Sequence, residues 1–69
     1  MRRFLIIIEK AEHNFSTYSP DLPGCVATGA PREEAEENMH EAIQLHIQGL
    51  LEDNVPIPVS ESFAEYVAV

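Results

Sequence analysis

Between Pro31 and the exit Pro56-Ile57-Pro58 the chain runs PREEAEENMHEAIQLHIQGLLEDN with no internal proline, and this stretch constrains the fold more than any other. Pro31 suits a first helical position, where its missing N–H has no bond to lose, and Glu33, Glu34, Glu36 and Glu37 set negative charge at the positive end of the helix dipole. The run extends to about Asp53 or Asn54, a rod of ~33 Å, with Asn54 as a left-handed stop and Gly49 weakening the last turns. At about 100° per residue, Ala35, Met39, Ala42, Ile43, His46 and Leu50 share one stripe, while Glu34, Glu41, Gln44, Gln48 and Glu52 lie opposite. One face packs and the other is wet.

What remains reads as strands. Residues 3 to 9, RFLIIIE, form an apolar, β-branched run that reads as a strand buried on both faces and central in a sheet. After the polar turn KAEHN, FSTYS at 15 to 19 is a second strand, with Phe15 and Thr17 on one face and Ser16 and Tyr18 on the other, so the two make an antiparallel hairpin. The turn PDLPG leads into a short third strand, Cys25 to Thr28, which Gly29 ends. Beyond Pro58 and the connection SES, FAEYVAV at 63 to 69 reads as a last strand. The expected architecture is α+β in the order β-β-β-α-β, an antiparallel sheet with one helix packed on one face, as a single domain spanning 1–69.

One helix covers only one face of such a sheet, yet Phe4, Leu5, Ile6, Ile7 and Ile8 put large side chains on both. Leaving two of them wet forgoes roughly 1.5–3 kcal/mol each, against a total stability of about 5–15 kcal/mol. A homodimer or a partner protein against the second face is therefore expected. Length points the same way, because a chain of 69 residues buries only about 60% of the surface its unfolded form exposes.

A formal charge of −8, from 12 acids against 4 bases, argues against nucleic acid as the ligand. A duplex binder makes about 6–10 phosphate contacts through clustered bases, and Arg2, Arg3, Lys10 and Arg32 are scattered. Such a surface suits steering towards a basic partner. The single cysteine excludes an internal disulfide and points to a reducing compartment. No apolar run approaches the ~18 residues of a membrane span, and FLIII is too short for a signal-peptide core, so a cytoplasmic protein without a membrane segment is expected.

Reactive chemistry is thinly represented. Cys25 leaves a glycine turn and is a candidate partner for His46 in a thiol–imidazole pair, but nothing basic adjoins it, and free cysteines of this kind are small, buried packing residues. His40 and His46 point about 120° apart on one helix, so a single ion cannot hold both, and a site joining His46, Cys25 and a carboxylate is the only metal arrangement left. His13 and His40 read as solvent-exposed, and EEAEE at 33 to 37 as a solvated helix start. There is no phosphate-binding glycine loop and no recognisable triad, so no catalytic residue, cofactor or metal ligand is assigned and no enzyme is expected.

Taken together, the motifs resemble one family. The turn Pro20-Asp21-Leu22-Pro23-Gly24-Cys25, then Gly29, the helix pieces Glu33-Glu34-Ala35 and Asn38 with Glu41-Ala42-Ile43, and the exit Ile57-Pro58 are similar to the HicB antitoxins over essentially the whole chain. The resemblance implies a partial RNase H-like fold without the acidic active site of the true ribonucleases. It also implies an antitoxin of a type II toxin–antitoxin system, which binds and neutralises a small basic RNA-cleaving HicA-type toxin and forms a homodimer or homotetramer. Two departures stand out: Ala30 replaces the threonine or serine that usually precedes the helix, and many members continue into a DNA-binding domain where this sequence reads to Val69, so a short stand-alone member is expected and direct operator binding is not expected of this chain alone. The proline-stiffened turn is expected to hold Tyr18, Asp21 and Leu22 on the rim as partner-binding residues. The rival reading is an orphan homo-oligomer that binds a small ligand or metal through Cys25 and His46 and has no toxin.

Overall fold

Three short strands, β1 (Ile7–Lys10), β2 (Phe15–Tyr18) and β3 (Val26–Gly29), precede one helix, α1 (Arg32–Glu52), in a computed structural model that describes residues 2–69. The strands form one antiparallel sheet in the order β1-β2-β3. The first turn is closed by the Ala11 N–H donating to the Asn14 carbonyl at 2.8 Å. In this register Ile8, Thr17 and Ala27 stand abreast, as do Ile7, Tyr18 and Val26. Because side chains alternate along a strand, the two trios lie on opposite faces.

α1 covers the face of the first trio. Thr17 is buried there, and Leu22, Cys25 and Met39 form the core, ringed by Phe4, Ile6, Ala27, Ala42, Ile43 and Ile47. Two contacts set how closely the helix approaches. A Cβ placed on Gly29 would stand 2.6 Å from the Ala35 amide nitrogen and 2.9 Å from its Cα, so only glycine admits the helix backbone so near β3. Asn38 then donates from Nδ2 to the Thr28 carbonyl at 2.8 Å, tying the second turn of the helix to the same strand.

The helix ends follow local chemistry. Pro31 stands just before the helix, with an extended backbone, and its carbonyl accepts from Glu34 N at 3.0 Å and Ala35 N at 3.3 Å; no side chain caps this end. The expected start at Pro31 thus moves to Arg32. At the other end Asn54 takes φ 56, Asn54 N donates to the Leu51 carbonyl, and Val55 N donates to the Leu50 carbonyl. These paired bonds form a Schellman stop, with Asn54 in the left-handed position expected of it. Gly49 lies within the continuous helix, and Ile47, absent from the stripe drawn above, packs at the edge of the core.

The sheet departs from expectation in two respects. β1 begins only at Ile7 and is an edge strand instead of a central one, and no strand forms at 63–69 among the described residues. Residues 63–69 lie exposed. A strand is held by backbone pairing to a neighbouring edge and by burial of one face, and among the described residues no edge pairs with 63–69. The architecture is α+β, with three antiparallel strands followed by one helix, and the fifth element of a partial RNase H-like order is not formed among the described residues.

Candidate functional site

The turn between β2 and β3 is built to turn one side chain inward and another sideways. Leu22 N donates to the Ser19 carbonyl at 3.2 Å, Cys25 N donates to the Leu22 carbonyl at 3.1 Å, and Gly24 takes φ 81, a left-handed value that glycine reaches without strain. Leu22 is 0% exposed, so the residue expected on the rim is a core residue. Its large apolar side chain gains more from the space beside Met39 than from water. Asp21 is half-buried and turned towards the far end of the chain: Oδ1 accepts from Ser62 Oγ at 3.0 Å, and Oδ2 accepts from Ser62 N at 3.3 Å and, at the long limit of 3.5 Å, from Ser60 Oγ. Of the expected trio, only Tyr18 turns its side chain to open solvent, at 41% exposure.

Tyr18 belongs to the uncovered face of the sheet. Val26 beside it is 65% exposed, Ile7 is half-buried, and Ser16, Thr28 and Glu9 continue the same face. The solvent side of α1 points the opposite way and is acidic, with Glu33, Glu36, Glu37 and His40 lining one shallow groove. Arg32 offsets one of these carboxylates, its Nε donating to Glu36 Oε1 at 3.1 Å. The chain therefore shows a mixed sheet face with one acid, Glu9, and an acidic helix face on opposite sides.

Cys25 and His46 do not make a reactive centre by their surroundings. Cys25 is 4% exposed within the core, and desolvation by burial pushes its thiol up from the ordinary value, so it stays protonated near neutral pH. His46 is half-buried on α1. Among the described residues no three His, Cys, Asp or Glu side chains gather where they could hold a metal ion. The contacts that sequence reasoning missed are Asp21 with Ser60 and Ser62, Asn38 with Thr28, and Gly29 with Ala35. No local pattern joins these partners, because Asp21 and Ser62 stand 41 positions apart and Asn38 and Thr28 ten, in separate elements.

The family model described as the HicB-like antitoxin of bacterial toxin–antitoxin systems matches residues 4–69. The chain belongs to that family. Among curated relatives, this HicB-like chain is 40% identical over 62 residues to an uncharacterized 14.9 kDa protein of Haemophilus phage HP1, covering 90% of this chain but 47% of that protein. It is 28% identical over 67 residues to a UPF0150 protein of Synechocystis, covering 96% of this chain and 85% of the relative, and 41% identical over 49 residues to a UPF0150 protein of Helicobacter pylori, covering 71% and 68%. The HicB-like chain thus spans about half the length of its phage relative. Among solved structures it is similar to a chain of the HicA3 and HicB3 toxin-antitoxin complex, with TM-score 0.73 and 30% identity, covering 86% of this chain and 70% of that one. No helix among the described residues is long and apolar enough to cross a membrane.

Proposed function

We propose that this chain is the antitoxin half of a toxin–antitoxin pair, binding and neutralising a small basic RNA-cleaving toxin of the HicA type. The observation that carries the reading is the likeness, at TM-score 0.73 and 30% identity, to a chain solved as part of the HicA3 and HicB3 complex. The charge of −8 supports it, since an acidic protein attracts a basic one and raises its rate of encounter. An inhibitor of this kind acts by covering its partner's RNA-binding surface, which requires side chains that pack and pair, with no bond made or broken. Cys25 fits that requirement, being a protonated packing residue. The exposure of Tyr18 on the uncovered face supports a partner contact there, while Leu22 is buried and Asp21 is engaged with Ser62.

The test is calorimetry of the full chain against a panel of HicA-type toxins, together with co-purification of any small basic protein encoded beside it. Stoichiometric binding that abolishes RNA cleavage is expected. Absence of binding across the panel and absence of a basic neighbour would overturn the antitoxin reading and leave the orphan oligomer in its place.

A further inference from the structure

We propose that the groove between the N-terminal segment at Arg2 and Phe4 and the adjoining side of α1 binds a single-chain anionic amphiphile, a fatty carboxylate, with its charge at Arg2 and Arg3 and its hydrocarbon along the helix. The groove encloses about 580 Å³, within the roughly 300–1,000 Å³ of small-molecule sites. Its apolar floor is Phe4, Ile43, Ile47 and Leu51. Phe4, Ile43 and Ile47 also pack against the core, so the floor is fixed before a ligand arrives, while Leu51 stays 57% exposed with no neighbour to cover it. Ile43, Ile47 and Leu51 recur every fourth residue on α1 and make one apolar rail ~12 Å long.

Charge selects an anion for this groove. The chain carries 12 acids against 4 bases, yet no acid lines the groove or the cleft that joins it at Arg2, Phe4 and Leu51. That cleft adds Arg3 and Ser60, so two of the bases and a hydroxyl border one acid-free space. Neither arginine has an ion-pair partner among the described residues, and Glu52, which follows Leu51, accepts from Gln48 Nε2 at 3.2 Å. A guanidinium matches a carboxylate in a two-pronged fork, and beside an apolar rail it offers both halves of an amphiphile what they need.

The same features disfavour larger occupants. A basic protein is repelled by Arg2 and Arg3 and drawn instead to Glu33, Glu36 and Glu37. An anionic bilayer presents many charges to a chain of −8 and is held off by its field, whereas one fatty carboxylate brings a single charge, which salt screens. The inference rests on the groove alone and stands whether or not a toxin binds.

The test is calorimetric titration of the full chain with sodium dodecanoate below its micelle concentration, with methyl NMR to locate the site. Saturable binding of one molecule per chain is expected, with shifts at the methyls of Ile43, Ile47 and Leu51. Dodecyltrimethylammonium, the same tail on a cation, should bind roughly tenfold more weakly, although the net charge of −8 by itself predicts the opposite order. Arg2→Gln with Arg3→Gln should weaken dodecanoate roughly tenfold. Leu51→Gln should weaken it too, whereas Leu45→Gln, at an exposed leucine outside the groove, should not. All four positions are exposed, so an unchanged circular dichroism spectrum is expected of each variant. Absence of saturable binding, a cation bound as tightly as the carboxylate, an arginine double variant of unchanged affinity, or equal effects at 45 and 51 would each overturn the proposal. Groove methyls that shift only with added toxin, or with chain concentration alone, would give the groove to a protein and overturn it as well.

Discussion

Asp21 and Ser62 stand 41 positions apart and share two hydrogen bonds, the Ser62 hydroxyl donating to Oδ1 at 3.0 Å and the Ser62 amide donating to Oδ2 at 3.3 Å. The stiffness of PDLPG acquires a purpose from this pair. Pro20 and Pro23 restrict the backbone on either side of Asp21, Gly24 supplies the left-handed reversal, and Leu22 drives the turn into the core, so the carboxylate is presented in one orientation. Replacing Asp21 with Ala removes a charged acceptor and should lower stability by about 1–2 kcal/mol, given that the site is half-buried. Hydrogen exchange is the sharper readout: protection of the Ser62 amide should vanish while protection in the middle of α1 persists.

Gly29→Ala tests how tightly the helix is seated. The new methyl would lie 2.6 Å from the Ala35 nitrogen, against backbone that cannot swing aside. A loss of about 1–3 kcal/mol is expected in urea unfolding. Loss of the Asn38 contact to Thr28 should accompany it, since both hold the same turn against β3.

Burial of Cys25 carries a dependence on pH. Its folded-state pKa is raised above the ordinary 9.0 by desolvation, so the folded chain keeps the proton to a higher pH than the unfolded chain does. The stabilisation is therefore complete below the unfolded value and is lost as pH rises through the folded one. Urea midpoints should hold steady through neutral pH and fall in the alkaline range, by more than in a Cys25→Ala control. Iodoacetamide at mildly alkaline pH should label the native chain far more slowly than the urea-unfolded chain.

The acidic helix face should govern the rate of toxin encounter. Substituting Glu33, Glu36 and Glu37 together by Gln should lower kon for a basic toxin roughly tenfold at low salt and flatten its dependence on ionic strength, with little effect on koff. Stopped-flow association at several salt concentrations checks this. An unchanged kon would remove these residues from the steering surface.

Much of the secondary structure is legible in the chain as written, and the reasons are local. Pro31 and Asn54 bracket α1 because each has a backbone preference that needs no distant partner, and the spacing of Ala35, Met39, Ala42 and Ile43 marks the packed face through helical periodicity alone. The hairpin followed from two short alternating runs with a polar turn between them. Family membership was legible too, since the PDLPGC turn and the Asn38-to-Ile43 spacing stand in the chain as written.

What the chain order alone could not decide is who meets whom. Leu22 and Tyr18 flank the same turn, yet one is fully buried and the other open, because the helix covers a single face of the sheet. Gly29 looks like the end of a strand until Ala35 is brought against it from a separate element. The same limit explains the final segment: local propensity makes 63–69 a strand, but a strand exists only where a neighbouring edge satisfies its backbone and a neighbouring surface buries its side chains. The sequence by itself determined each segment's preference, which is set by backbone sterics and periodicity. Only the tertiary structure decided which preferences were satisfied within the chain, because burial and pairing depend on residues that sequence distance keeps apart.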